Sequence, residues 1–139
     1  MYIAYTDGSC KPNPGIGGWG VIILDSEGHI FCFANGARPD VTNNQMELVS
    51  VIGALAAIPE GEEVKVFSDS QYVINTMTKG WKKNKNITYW DCLEKIITER
   101  KLKVIWQWVK GHAGDEYNEK VDALAQRAAD DYKESINNG

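Results

Sequence analysis

The chain has little of what secreted, membrane-bound or metal-stapled proteins are built from. Its first residues have neither the basic start nor the apolar run of a signal peptide, and no apolar stretch approaches bilayer-spanning length. Cysteine is scarce. Cys10, Cys32 and Cys92 are an odd number without paired metal spacing, which suits a reducing, cytoplasmic setting better than a disulfide framework. Basic residues are also in short supply, 15 Lys and Arg against 19 Asp and Glu, for a net charge of -4. That balance argues at first against a phosphate-rich partner, because phosphate binding rests on Lys and Arg. Distribution matters more than the sum. Lys79, Lys82, Lys83 and Lys85 form one basic cluster and Lys101, Lys103 and Lys110 another, while Asp130, Asp131 and Glu134 crowd the end. With 139 residues the chain fits one domain with a core of its own, expected over residues 1–134 and followed by a short disordered tail over 135–139. Single-chain action as a monomer, away from any membrane, is the corresponding expectation.

What is present is organised around two aspartates. Tyr2 to Cys10 is a β-branched and aromatic run that ends in Asp7 and small residues, and Val64 to Ser70 repeats the pattern around Asp69. In α/β proteins ligands collect beyond the carboxyl ends of strands, so two neighbouring strands of this kind would bring two carboxylates together. Lys11 to Gly20 reads as a turn because of its prolines and glycines. Gly15, Gly17 and Gly20 have dinucleotide-fingerprint spacing, but Val21 to Leu24 after them is a strand where that motif needs a helix. A turn at Asp25 to Gly28 leads into a third strand over His29 to Asn35.

Helical spacing begins at Asn43, with Met46, Val49, Ile52, Gly53 and Ala56 inward and Thr42 with Gln45 as a capping box. Ser68 and Gln71 suggest a second capping box, opening a helix to about Met77. Lys79 to Asn86 reads as a loop, Thr88 to Arg100 as a helix burying Leu93, Ile96 and Ile97, and Val104 to Val109 as a fifth strand. A last helix over Asp115 to Tyr132 turns Val121, Leu124, Ala125 and Ala128 inward. The fold class expected is α/β, a five-stranded mixed sheet of an antiparallel three-strand meander plus two parallel strands, flanked by helices.

Four acids stand out: Asp7 and Asp69 at strand ends, Glu47 early in the first helix and Asp122 in the last. Glu47 and Asp122 both adjoin apolar helix positions, where an unpaired carboxylate is costly. Hard oxygen ligands without Cys or His partners suit Mg2+, with Mn2+ as substitute, rather than zinc. Two such ions about 4 Å apart would serve in-line attack on a phosphodiester. His112 lies in a glycine-flanked loop, and a histidine near neutral pKa can carry protons to or from such a site. His29 follows a turn glycine and is given no role.

Six blocks, in order, resemble the signatures of the type 1 ribonucleases H. They are Thr6-Asp7-Gly8-Ser9-Cys10, Asn13-Pro14-Gly15, Thr42 to Leu48, Asp69-Ser70-Gln71-Tyr72-Val73, Trp108 to Gly114, and Asn118 to Ala125. The resemblance implies a ribonuclease H-like fold and a metal-dependent endoribonuclease that cuts the RNA strand of an RNA/DNA hybrid, leaving 5'-phosphate and 3'-hydroxyl ends. By this likeness Asp7 bridges two ions, Glu47 and Asp69 complete the shell of one, Asp122 holds the other, and His112 assists proton transfer or product release. Asn13, Asn43, Asn44 and Gln71, with backbone around Gly8, Ser9 and Cys10, then line the minor groove, where 2'-hydroxyls tell RNA from DNA. Thr42 and Asn86 match positions that hold a DNA phosphate, and Trp81 one that packs on a DNA sugar.

The chain departs from the family pattern in two places. The basic protrusion of many members is reduced to Lys79 to Tyr89, with Lys82, Lys83 and Lys85 as its remnant. Asp40 stands where some relatives carry a phosphate-pocket arginine, and Arg38 in the same loop is the candidate substitute. The alternatives are a DNA-cutting or exonucleolytic member of the same superfold, and a non-catalytic hybrid-binding module.

Overall fold

Five strands form one sheet. The computed structural model describes residues 1–110 and 116–138. Its strands are β1 (Tyr2–Cys10), β2 (Gly15–Leu24), β3 (Ile30–Val41), β4 (Glu63–Ser68) and β5 (Lys103–Trp108); its helices are α1 (Asn43–Ala57), α2 (Gln71–Lys79), α3 (Ile87–Glu99) and α4 (Glu116–Asn138). The sheet runs β3-β2-β1-β4-β5, antiparallel among β1, β2 and β3 and parallel from β1 to β4 to β5. This is the mixed sheet that the sequence pattern predicts. Its central strands β1 and β2 are buried in consecutive runs, as strands covered on both faces are, while β4 alternates. One face carries α1, α2 and α3 over a core that includes Leu48, Val51, Val73, Trp90 and Leu93; on the other, Val121 of α4 packs with Tyr5, Ile22 and Leu24.

Several boundaries differ from the sequence reading, each for a visible reason. β2 begins at Gly15, so the glycines read as a turn lie mostly inside a strand. They serve close approach rather than turning: a Cβ on Gly18 would stand 1.9 Å from the Ala125 carbonyl oxygen, and one on Gly20 2.7 Å from that of Val121. Between the Gly15–Val41 and Gly17–Arg38 pairs, β3 holds one residue more than β2, a bulge in which Asp40 adopts φ 55. β3 continues past Asn35 through regular pairs with β2 as far as Arg38, and the bulge carries it on to Val41. The cap of α2 is Ser70, whose side chain accepts from the Val73 amide, and not Ser68, whose Oγ accepts from the Ser70 amide at 3.1 Å. The capping box of α1 is present as expected, with Thr42 and Gln45 bonded reciprocally. α1 is buried on more sides than one apolar stripe predicts, because it lies between the sheet and α3; Leu48, Val51 and Leu55 are fully buried and Ala56 is exposed. α4 does not stop at Tyr132 but runs to Asn138, so Ser135 to Asn138 are helical rather than the disordered tail expected there. Its buried residues, Val121, Ala125 and Ala129, recur every fourth position as a narrow seam of mostly small side chains laid over the glycines of β2.

This seam makes a prediction. Gly18→Ala places a methyl group against helix backbone that cannot yield without shifting α4, and should cost about 3 kcal/mol, lowering the melting temperature by about 10 °C. Gly53→Ala, whose Cβ would meet side chains rather than backbone, Trp19 at 3.3 Å and Val21 at 3.9 Å, should stay within about 1 kcal/mol of the parent. Equal melting temperatures for the two variants would refute the close-approach account.

Candidate active site

β1 outruns its parallel neighbour. The β1–β4 ladder ends at Tyr5 opposite Phe67, and the Thr6 hydroxyl donates to the Phe67 carbonyl at 3.1 Å where the ladder stops. Asp7 therefore lies just beyond the carboxyl end of β4, although it remains paired with Gly20 of β2 inside β1. Asp69 follows β4 directly, between Ser68 and the α2 cap Ser70. Glu47 reaches the same point because α1 crosses β1 at Gly8, where a Cβ would meet the Met46 carbonyl carbon at 2.3 Å. The Gly8 amide donates to Asp7 Oδ1 at 2.9 Å and also to Glu47 Oε1. Carboxylate oxygens of Asp7, Glu47 and Asp69 all lie within 4.8 Å of one another. Asp122, carried by α4 across the glycines of β2, lines the adjoining cleft with Thr6, Asp7, Asp69, Lys110 and Asn118.

Such a cluster resists ionisation. Burial, then the charge of Asp69 and a hydrogen bond with Asp122, push the Asp7 carboxyl up to about 8, with a hydrogen bond to Glu47 pulling the other way. Burial, then the charges of Asp7 and Asp69, push Glu47 well above the usual carboxylate range. Without a counter-charge, the cluster holds protons that free carboxylates would have lost at neutral pH.

The other residues singled out from sequence fall around this cleft. Gly8, Ser9 and Cys10 form the end of β1. The Cys10 amide donates to Asn43 Oδ1 at 2.5 Å, and the Asn43 amide donates to Asn13 Oδ1 at 3.1 Å, so the three close on one another. Asn44 and Gln71 are exposed in the first turns of their helices. Thr42 caps α1, and its partner Gln45 donates onward to Asn86 Oδ1 at 3.2 Å. Asn86, at φ 57, makes no cap bond with its side chain, which is free to join that chain. Trp81 is 49% exposed in the α2–α3 connection, away from any core. His112 lies outside the described residues.

Sequence reasoning missed the groups that hold these in place. Tyr72 Oη accepts from Asn86 Nδ2 at 3.3 Å and from the buried Trp90 Nε1 at 2.9 Å, tying the α2–α3 connection to the core. The Trp108 indole donates to the Asp69 carbonyl at 3.2 Å, and the Val109 amide to the Ser68 carbonyl at 2.9 Å, so the end of β5 holds the turn bearing Asp69. Tyr72 and Trp108 each stood inside a signature block, the one signal that pointed to them, but nothing there showed what they bond.

The comparisons with known proteins agree with this geometry. The family model described as RNase H matches residues 1–130. A protein named ribonuclease H from Polaromonas sp. (strain JS666) is 41% identical, covering 92% of this chain and 87% of its own length. One from Francisella philomiragia is 42% identical, covering 91% and 89%. Among solved structures, LC11-RNase H1 in complex with an RNA/DNA hybrid superposes with a TM-score of 0.80 at 26% identity, covering 95% of this chain and 99% of that one. RNase H1 from Halobacterium salinarum superposes at 0.79 with 27% identity, covering 94% and 98%.

Proposed function

The chain belongs to the ribonuclease H family, and we propose that it hydrolyses the RNA strand of RNA/DNA hybrids endonucleolytically, leaving 5'-phosphate and 3'-hydroxyl ends. The observation that carries this reading is the convergence of Asp7, Glu47 and Asp69 within 4.8 Å, beside Asp122, at the carboxyl end of β4. An all-carboxylate donor set with raised proton affinity fits a hard divalent cation, Mg2+ or in its place Mn2+. Asp7 would be shared by two ions, with Glu47 and Asp69 on one and Asp122 on the other. Bound there, the ions would supply Lewis-acid polarisation of the scissile phosphate and of the attacking water.

The chain's own residues then do the rest. Asn13, Asn43, Asn44 and Gln71, with the backbone of Gly8 to Cys10, read 2'-hydroxyls across the minor groove. Thr42 and Asn86 take a phosphate of the DNA strand and Trp81 packs on a DNA sugar, while His112 assists proton transfer or product release. Contacts to sugar and phosphate carry no base code, so cleavage has no marked sequence preference. The site is built within one chain, in keeping with a monomer. No helix among the described residues is long and apolar enough to cross a membrane, and the three free thiols, Cys92 exposed among them, support a cytoplasmic setting.

Arg38 is exposed on β3 and makes no ion pair among the described residues. It serves in place of the arginine that Asp40 displaces. Arg38→Ala should therefore raise KM for hybrid about three- to tenfold with little change in kcat, as for a lost phosphate contact; an unchanged KM would remove Arg38 from the substrate site. The reading as a whole is tested by presenting end-labelled RNA/DNA hybrid, duplex RNA and duplex DNA side by side. Cutting confined to the hybrid's RNA supports it. Cutting of duplex DNA, or binding without cutting, would replace it with one of the alternatives above.

A further inference from the structure

The loop between β1 and β2 carries Asn13, yet it cannot secure itself. Pro12 and Pro14 have no backbone N–H, so this stretch must be held by donors from elsewhere. Three anchors are present. The Cys10 thiol has its one proton between the Pro12 carbonyl at 3.2 Å and the Val41 carbonyl at 3.1 Å, the Asn43 backbone amide donates to Asn13 Oδ1 at 3.1 Å, and Lys133 Nζ donates to the Lys11 carbonyl at 2.7 Å. The first two come from the groove side. The third comes from α4, beyond the point at which the sequence pattern ended that helix.

Lys133 has acidic neighbours in sequence at Asp130, Asp131 and Glu134, yet among the described residues it forms no ion pair, and Asp131 lies 3.9 Å from Arg127 instead. Its ammonium is committed to a backbone oxygen. Its charge also reaches the residue that opens the loop: burial pushes the Cys10 thiol up, while a hydrogen bond from the Gly15 backbone and the Lys133 charge pull it back.

We infer that Lys133 is a positioning residue for the substrate groove, holding the Lys11–Gly15 loop against the start of α1 and so fixing the Asn13–Asn43 contact that faces the hybrid. The inference rests on the proposed role of Asn13 and Asn43 in the groove. It gives the C-terminal part of α4 a task in substrate recognition, separate from the placement of Asp122 by the same helix.

The test uses Lys133→Met, which keeps the length of the side chain and removes the donor, and Lys133→Arg, which restores one. Without substrate, the Asn43 amide should exchange with solvent about tenfold faster in the Met variant, as expected for loss of a charged hydrogen bond, while Tyr5 and Ile22 amides in the central ladder keep their parent rates. With hybrid, KM should rise about three- to tenfold and kcat stay within about twofold. The Arg variant should recover both. Unchanged Asn43 exchange, unchanged KM, faster exchange throughout the ladder, or failure of Arg to restore would each overturn the inference. Should the parent protein not cut hybrid at all, the proposed activity falls, and the exchange measurement still decides whether Lys133 holds the loop.

Discussion

Asp7→Asn is expected to abolish hybrid cleavage, by about a thousandfold or more, while making the metal-free protein more stable at alkaline pH. Both effects follow from the same position. Asp7 is the one acid of the cluster in contact with Glu47, Asp69 and Asp122, so removing its charge weakens every shared ligand position at once. The substitution costs little structurally, because an asparagine oxygen can still accept from the Gly8 amide.

The stability gain has a definite pH window. The Asp7 carboxyl sits at 3.8 in a free chain and at about 8 in the folded one. The folded state thus binds the proton more tightly, and as pH rises from about 4 to about 8 the metal-free protein loses stability relative to its unfolded chain. Asparagine is immune to that loss. The full difference corresponds to about 1.4 kcal/mol per pH unit, and sharing of protons with Glu47 reduces what one substitution recovers. A gain of about 2–4 kcal/mol at pH 8, vanishing near pH 4, is the expected result. Thermal unfolding of both proteins in a chelator across that range measures it. A gain equal at both ends would mean that the cluster does not hold the proton.

Divalent-ion binding should show the complementary dependence. An ion entering the cluster must displace the protons that burial and mutual repulsion keep on Asp7 and Glu47. If one proton is released per ion, affinity falls about fiftyfold between pH 8 and pH 6, approaching about tenfold per unit well below 8. Calorimetric titration with Mn2+ at the two pH values reads this directly, and the melting temperature should climb with ion concentration more steeply at pH 8. Equal affinity at both pH values would contradict a cluster that is protonated when empty. Hybrid cleavage in limiting Mg2+ should rise over the same range.

The fold was legible wherever a local pattern was also the tertiary one. β4 read correctly because its alternation is a local signal and Asp69 directly follows it. β1 is a strand as expected but runs past Asp7 to Cys10, so that aspartate lies inside it rather than at its end. Thr42 with Gln45 caps α1 as a four-residue motif should. Gly15 to Gly20 misled because glycine usually marks a turn; here it marks helix backbone pressed against a strand, which only the tertiary structure reveals. Ser68 and Ser70 both had the right chemistry for a cap, and the strand end decided between them. The end of α4 was cut short at Tyr132 because the apolar seam fades there, although the backbone continues as helix.

The site divides in the same way. Asp7 and Asp69 were recognisable as aspartates at strand ends and Glu47 as a carboxylate beside buried helix positions, and the fold brings the three together. Tyr72, Trp108 and Lys133 were not, since each acts on a residue distant in sequence through a bond that no spacing encodes.

The most direct test of the central claim is cleavage of an end-labelled RNA/DNA hybrid by the parent protein in Mg2+ and in EDTA, with Asp7→Asn run alongside. The account predicts internal cuts in the RNA strand, ending in 5'-phosphate, in Mg2+ and the parent protein only. Cutting that survives EDTA or the loss of Asp7 would contradict it.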